Sequence, residues 1–213
     1  MATRPQDILG VPHPAWMEED VVMLSDMASR WLETEVLPDY ERFEKQEKVD
    51  RETWEKAGEA GLLCASMPET YGGSGGSYAH EAAIADALGH VGVDGFGIAL
   101  HNAIVAPYIL HFGSEEQKRK WLPRMATGEI RAAFSLSEPE VGSDVQGIKS
   151  VAKKADDGAW ELNGQKMWVT NGLLADLVFV LMKNDTEADP PYTGMTCFIT
   201  GKEPGAAENT GEF

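Results

Sequence analysis

The chain has 213 residues, with 35 acidic against 18 basic side chains and a formal net charge of −17 at neutral pH. Such a surface repels nucleic acid and anionic membranes, which excludes both as partners, and a phosphate-bearing ligand must be held by local backbone donors. A hydrophobic content of 43% suffices for a sizeable core, no run of 18 apolar residues is present to span a membrane, and Cys64 and Cys197 stand at neither metal-ligand nor redox spacing.

Residues Met1 to Trp16 carry prolines and charges and no apolar run, which argues against a secretory signal; nor are they the Arg-rich amphipathic type of a transit peptide. With both cysteines read as reduced thiols, a cytoplasmic protein is expected. From Met17 to Val36, apolar residues at Val21, Leu24, Ala28, Trp31, Leu32 and Val36 form one face of a helix, which Pro38 ends. A short helix over Arg51–Ala60 follows, with Asp50 as N-cap and Gly61 as stop. The glycine-rich stretch Pro68–Ser77 reads as a loop. Ala79–Val91 is helical again, and Phe96–Phe112, apolar almost all round, reads as a buried helix kinked or split by Pro107. Ser114-Glu-Glu-Gln117 has the pattern of a capping box, and Gly128 closes the helix it opens.

Beyond Gly128 the pattern changes to short strand-like runs at Lys149–Ala155, Ala159–Leu162, Gln165–Thr170, Leu177–Met182 and Gly194–Thr200, with Asp157-Gly158 and Asn163-Gly164 as hairpin turns. The expected fold is therefore α+β by segregation: an N-terminal all-α domain over residues 1–130, then an antiparallel β-domain over 131–213. Residues Gly201–Phe213 read as a loop between strands, so the β-domain is expected to be incomplete.

Two segments have the composition of a binding site. Phe134-Ser-Leu-Ser-Glu-Pro-Glu-Val-Gly-Ser-Asp144 joins the two halves with hydroxyls and backbone N–H groups able to meet a phosphate or a carbonyl, though an ordinary polar connection has the same composition. Lys166-Met-Trp-Val-Thr-Asn-Gly172 places Trp168 and Thr170 two apart, on one side of a strand, where an aromatic plane and a hydroxyl suit a flat heterocycle; simple core is the plainer alternative. The glycines of Gly72–Gly76 are followed by no Lys-Ser/Thr pair, so they are not a phosphate loop. His80, His90, His101 and His111 share no ligand spacing, so no metal is expected.

Together these segments resemble the acyl-CoA dehydrogenase family. Ser137–Asp144 matches its Thr/Ser-Glu-Pro-x-x-Gly-Ser-Asp block, and Asn163–Asn171 matches Asn-Gly-x-Lys-x-Trp-Ile/Val-Thr-Asn. The Tyr71-Gly-Gly turn, the Gly113–Leu122 helix start and Gly128-Glu-Ile agree in order and spacing, so the resemblance covers nearly the whole chain.

The resemblance implies FAD as cofactor, an acyl-CoA thioester as substrate, and oxidation of the kind used in fatty-acid metabolism. Phe134, Ser135, Leu136 and Ser137 are then expected to line the flavin, with main-chain groups around Leu136 and Ser137 at the pyrimidine end; Ser137 replaces the commoner threonine. Ser143 is expected between the cofactor phosphates and the CoA arm, Trp168 and Val169 over the flavin face away from substrate, and the Thr170 hydroxyl near the hydride-accepting nitrogen. Electrons are expected to pass to an electron-transferring flavoprotein, and the full-length parent to be a dimer or tetramer. The family's proton-abstracting glutamate lies in a C-terminal helical domain beyond residue 213, so no catalytic residue is expected here and the chain alone is expected to be inactive. Glu138 is read as structural. His101, Ala99 and Ala103 lie on the helix that in this family walls the acyl channel, and the small alanines suggest a roomy one. A flavin oxidase or monooxygenase of the same fold, and a non-catalytic helical partner-binding module, are the alternatives.

Overall fold

A computed structural model of the chain describes Gly10 and residues 12–202. Much of the stretch read as Met1–Trp16, and nearly all of Gly201–Phe213, lies outside the described residues. The chain divides into two compact units, Met1–Arg131 and Ala132–Phe213.

The first unit is helical: α1 (Glu19–Glu35), α2 (Tyr40–Lys45), α3 (Arg51–Glu59), α4 (Tyr78–Val91), α5 (Ile98–Leu100), α6 (Ala106–Phe112) and α7 (Glu115–Ala126). Helix α1 buries Val21, Ser25, Ala28, Ser29 and Leu32 and packs along α4. Its register is that of the sequence reading, with small serines added to the buried stripe. The core is completed by Trp54, Leu62, Ile84, Phe96, Ile98, Ile109, Leu122 and Met125, all with less than 2% of their surface exposed.

Helix starts and stops follow local chemistry. At α7, Ser114 Oγ accepts from the Gln117 N–H at 3.2 Å, and Gln117 Oε1 accepts from the Ser114 N–H at 2.9 Å. The chain leaves α7 through Gly128 at φ +78°, where a Cβ would collide with the Trp54 carbonyl. Helix α4 has a box of the same kind that pattern reading misses. Ser77 is the cap, and His80 stands where Glu or Gln is usual, its Nδ1 accepting from the Ser77 N–H at 3.1 Å. Asp50, expected to cap α3, makes no capping bond. Its carboxylate is taken by Arg42 at 2.7 Å and Gln46 at 2.8 Å, charge-assisted or side-chain donors that replace the backbone N–H.

The Phe96–Phe112 stretch corrects two expectations. Of the kink or split expected at Pro107, the split is absent, and the helix runs on from Ile98 to Phe112. A π-helical turn at His101–Val105 lets the Ala106 N–H reach the His101 carbonyl, and the widened turn absorbs a proline that an α-helical ladder rejects. Nor is it buried all round: Ala99, Ile104, Tyr108 and Phe112 are exposed, the last at 81%. Beside this helix a buried polar network fixes the loop after α3. Asn102 Oδ1 accepts from the Cys64 N–H at 2.9 Å, and Asn102 Nδ2 donates to the Leu62 carbonyl at 2.8 Å and to Glu81 at 2.9 Å. The other Glu81 oxygen accepts from the Ser66 N–H at 2.8 Å, so Cys64 is held in the left-handed region at φ +55°.

The second unit is a five-stranded sheet of β1 (Ala132–Ser135), β2 (Val151–Lys154), β3 (Trp160–Asn163), β4 (Leu177–Lys183) and β5 (Met195–Gly201). Strand β5 pairs antiparallel along all of β4. The opposite edge of β4 takes β1 in parallel over Leu177–Val180 and meets β2, also parallel, at Val151↔Lys183. The sheet is thus mixed rather than antiparallel throughout, because the long connection from β1 to β4 can cross over and return in the same direction.

The β2–β3 hairpin turns at Gly158, φ +88°, as its Asp-Gly sequence requires. Asn163-Gly164 is not a hairpin turn, since the chain leaves β3 as an irregular segment. Gly164 is needed there for another reason: a Cβ would drive into the Ser150 side chain. Strand β1, which ends within the Phe134–Asp144 segment, has no counterpart among the expected strands.

Candidate functional site

Both site segments belong to the second unit, and the structure ties them together. Strand β1 carries Phe134, whose ring lies 6.1 Å from that of Phe179 on β4, and the buried Ser135. The chain then passes through Leu136 and Ser137, both half-buried, to Glu138. Lys166 grips this stretch from the other segment: its ammonium donates to the Leu136 carbonyl at 3.0 Å and to the Glu138 carboxylate at 2.9 Å. The Met167 N–H donates to the Ser137 carbonyl at 3.0 Å.

Glu138 holds this junction. Its carboxylate also accepts the backbone N–H groups of Lys149 at 2.6 Å and Ser150 at 3.0 Å. Burial alone would raise its pKa, but the hydrogen bonds from Ser150, Lys149 and Lys166 outweigh it and hold the carboxyl at about 2. A carboxylate so committed has no free basicity to take a proton from a substrate. The nearby Glu140 pairs with the Lys149 ammonium at the surface.

Residues Gln165–Thr170, expected to be a strand, are not one. Trp168 sits at φ +58° and Asn171 at φ +64°, both in the left-handed region, so Trp168 and Thr170 do not share a strand face. The reason is local: the Gly172 N–H closes on the Val169 carbonyl, and the Leu174 and Ala175 N–H groups on that of Asn171, forming turns that no ladder can use. Asn171 Nδ2 donates to the Ala132 carbonyl at 3.1 Å, and Val169 packs on Ala133, Ala175 and Val178. Between these anchors Trp168 stands 85% exposed.

The structure therefore brings Leu136, Ser137, Val169 and the backbone beside Trp168 into one framework. Thr170 and Ser143 are exposed, and no hydrogen bond among the described residues joins the Ser143 hydroxyl to the others. Lys166, Glu138 and Asn171 carry the framework; Glu138 is structural, as the sequence reading has it, while Lys166 and Asn171 were given no role there. The signal was a lysine and an amide inside an otherwise apolar motif, where each needs a buried partner. The buried His101 lies apart from this in the helical unit, its Nε2–H on the Met125 carbonyl at 3.1 Å and its ring 5.4 Å from that of Trp54. Burial lowers its pKa to about 4, against the effect of the Met125 bond. Among the described residues no group of three or more His, Cys, Asp or Glu could hold a metal ion, and no helix is long and apolar enough to cross a membrane.

Residues 18–129 match the model of the acyl-CoA dehydrogenase N-terminal domain, and residues 133–209 that of the middle domain. The chain belongs to the acyl-CoA dehydrogenase family. It is 40% identical over 170 residues to the long-chain specific acyl-CoA dehydrogenase of Sus scrofa mitochondria, a match spanning 80% of this chain and 39% of the pig protein. The acyl-CoA dehydrogenase of Geobacillus kaustophilus superposes with a TM-score of 0.85 at 38% identity, covering 90% of this chain and 50% of that one. An acyl-CoA dehydrogenase of Bacillus anthracis, solved as a complex with FAD, gives 0.75 at 36% identity over 87% of this chain and 31% of that one. The chain thus spans half or less of the length of these acyl-CoA dehydrogenases.

Proposed function

We propose that this chain supplies the flavin-holding half of an FAD-dependent dehydrogenase that oxidises an acyl-CoA thioester between its α and β carbons. The observation that carries this reading is Trp168. A large indole held in solvent by a left-handed backbone costs roughly 1 kcal/mol or more of strain and leaves apolar surface wet, and a flat ring stacked on it offsets both.

FAD, when bound, would supply the two-electron acceptor. The chain's own residues would do the positioning. Phe134, Ser135, Leu136 and Ser137 would line the flavin, with main-chain groups around Leu136 and Ser137 at its pyrimidine end; Trp168 and Val169 would cover its far face, and the Thr170 hydroxyl would reach its central nitrogen. Ser143, on its exposed loop, would meet phosphate or the CoA arm through a short hydroxyl, in keeping with a surface whose net charge of −17 leaves local donors to do the binding. The exposed apolar side of α5–α6, with Ala99 and the half-buried Ala103, would take the acyl chain.

No described glutamate in the site is free to act as base, so we assign proton abstraction to a group outside the described residues and expect the 213 residues alone to be inactive. The full-length parent would pass electrons to an electron-transferring flavoprotein and work as a dimer or tetramer. Its place in fatty-acid oxidation follows the long-chain relative. A cytoplasmic location is in keeping with the two free thiols, Cys64 and Cys197.

The test is FAD titration of the purified chain, followed by visible absorption before and after anaerobic addition of an acyl-CoA. Binding that Trp168→Ala weakens about tenfold, with no bleaching by substrate, is the expected result. A wild-type chain that takes up no FAD overturns the reading. Bleaching by substrate overturns the assignment of the base.

A further inference from the structure

We infer that Lys166 is a positioning residue for the flavin: its ammonium polarises the Leu136–Ser137 peptide, so that the Ser137 N–H is presented as a strengthened donor to the pyrimidine edge of the ring. This rests on the flavin reading above and adds to it a residue that touches no cofactor.

The Leu136 carbonyl and the Ser137 N–H are the two ends of one peptide group, conjugated through the C–N bond. A cation donating to the oxygen draws density out of the nitrogen, and its N–H becomes a better donor; hydrogen bonds in such a chain strengthen one another. Lys166 Nζ makes that contact at 3.0 Å, with only 8% of its side chain exposed, where water screens it little. The Ser137 N–H itself donates to no protein group among the described residues. A polarised donor left unpaired at the edge of a site is what an incoming acceptor uses.

The surrounding bonds fix the direction of this donor. The Met167 N–H on the Ser137 carbonyl holds the next peptide, and the Glu138 N–H and carbonyl exchange bonds with Val141. Glu138 keeps the ammonium in place, and its own two backbone donors from Lys149 and Ser150 keep the carboxylate from turning away. A lysine serving only to neutralise Glu138 needs one bond. The second, to a carbonyl whose peptide N–H is unpaired, is what separates positioning from packing. A donor at the pyrimidine edge favours the electron-rich reduced ring over the oxidised one, so Lys166 would also raise the flavin's reduction potential.

The experiment follows the Ser137 amide by ¹⁵N–¹H NMR in the 213-residue chain, alone and during FAD titration, for the wild type and three variants. The Glu138→Gln/Lys166→Met pair removes both charges together and leaves no buried ion unpaired. In it the Ser137 amide proton should move upfield in the flavin-free protein, and the dissociation constant for FAD should rise about tenfold. Lys166→Arg, which keeps a cation, should restore binding to near wild type. Lys166→Gln keeps a neutral donor and the packing, and should show a smaller part of the same loss. A folded Lys166→Gln or double variant with the wild-type amide shift and FAD affinity overturns the inference and leaves the flavin reading standing. A wild-type chain whose Ser137 amide does not respond to FAD overturns both.

Discussion

Asn102 and Glu81 meet side chain to side chain at 2.9 Å in the interior of the helical unit, each almost fully buried. Between them they satisfy the N–H groups of Cys64 and Ser66 and the carbonyl of Leu62. Asn102→Ala should therefore cost about 3 kcal/mol, because it leaves the Cys64 N–H, the Leu62 carbonyl and one of the two Glu81 oxygens buried without the partner Asn102 supplied. Urea unfolding of the two proteins side by side checks this; a loss below about 1 kcal/mol would mean that water replaces the amide freely.

Stability should fall in two successive, partly overlapping pH windows. His101 has a folded pKa of about 4 against an ordinary 6.5, so the unfolded chain binds the extra proton first and stability declines as pH drops from 6.5 toward 4. Glu138, at about 2 against 4.5, has the same sign and adds its loss from 4.5 downward. In pH-resolved denaturation, His101→Gln should flatten the upper window alone and Glu138→Gln the lower one alone. Curves parallel to wild type would remove these residues from the account.

Gly164 tests the packing under the site. Gly164→Ala should cost about 2 kcal/mol, since the new methyl must displace Ser150, whose N–H is one of the donors to Glu138. Gly158→Ala meets nothing and carries only the positive-φ penalty of about 1 kcal/mol. If thermal melts rank the two the other way, the Gly164–Ser150 approach is not what requires glycine.

Residues with a local reason for their conformation were legible in the sequence. The Ser114 box, the Gly128 exit, the Asp157-Gly158 turn and the stripe of α1 follow from one residue's neighbours within a turn or two. What escaped depends on which of several competing partners a side chain or backbone group finds. Asp50 looked like a cap, but Arg42 and Gln46 outbid the backbone for its oxygens. Gln165–Thr170 has the composition of a strand, yet its anchors on Ala132, Leu136 and Ser137 require a left-handed Trp168. Of the site, the two motif segments were visible as composition, and the family resemblance gave them roles. The Lys166–Glu138 junction was not visible, because nothing at either position says which carbonyl a lysine will find.

Strand β4 has one more consequence, for the order in which the molecule assembles. The edge that carries Phe134 and Ser135 exists only once Ala132 has found Leu177, a pairing that closes a long loop and repays its entropy late. During synthesis the helical unit and both site motifs emerge before β4 does, so the edge bearing Phe134 and Ser135 is among the last features to form. Refolding of the second unit is therefore expected to be limited by the β1–β4 pairing rather than by any weakness in the finished sheet.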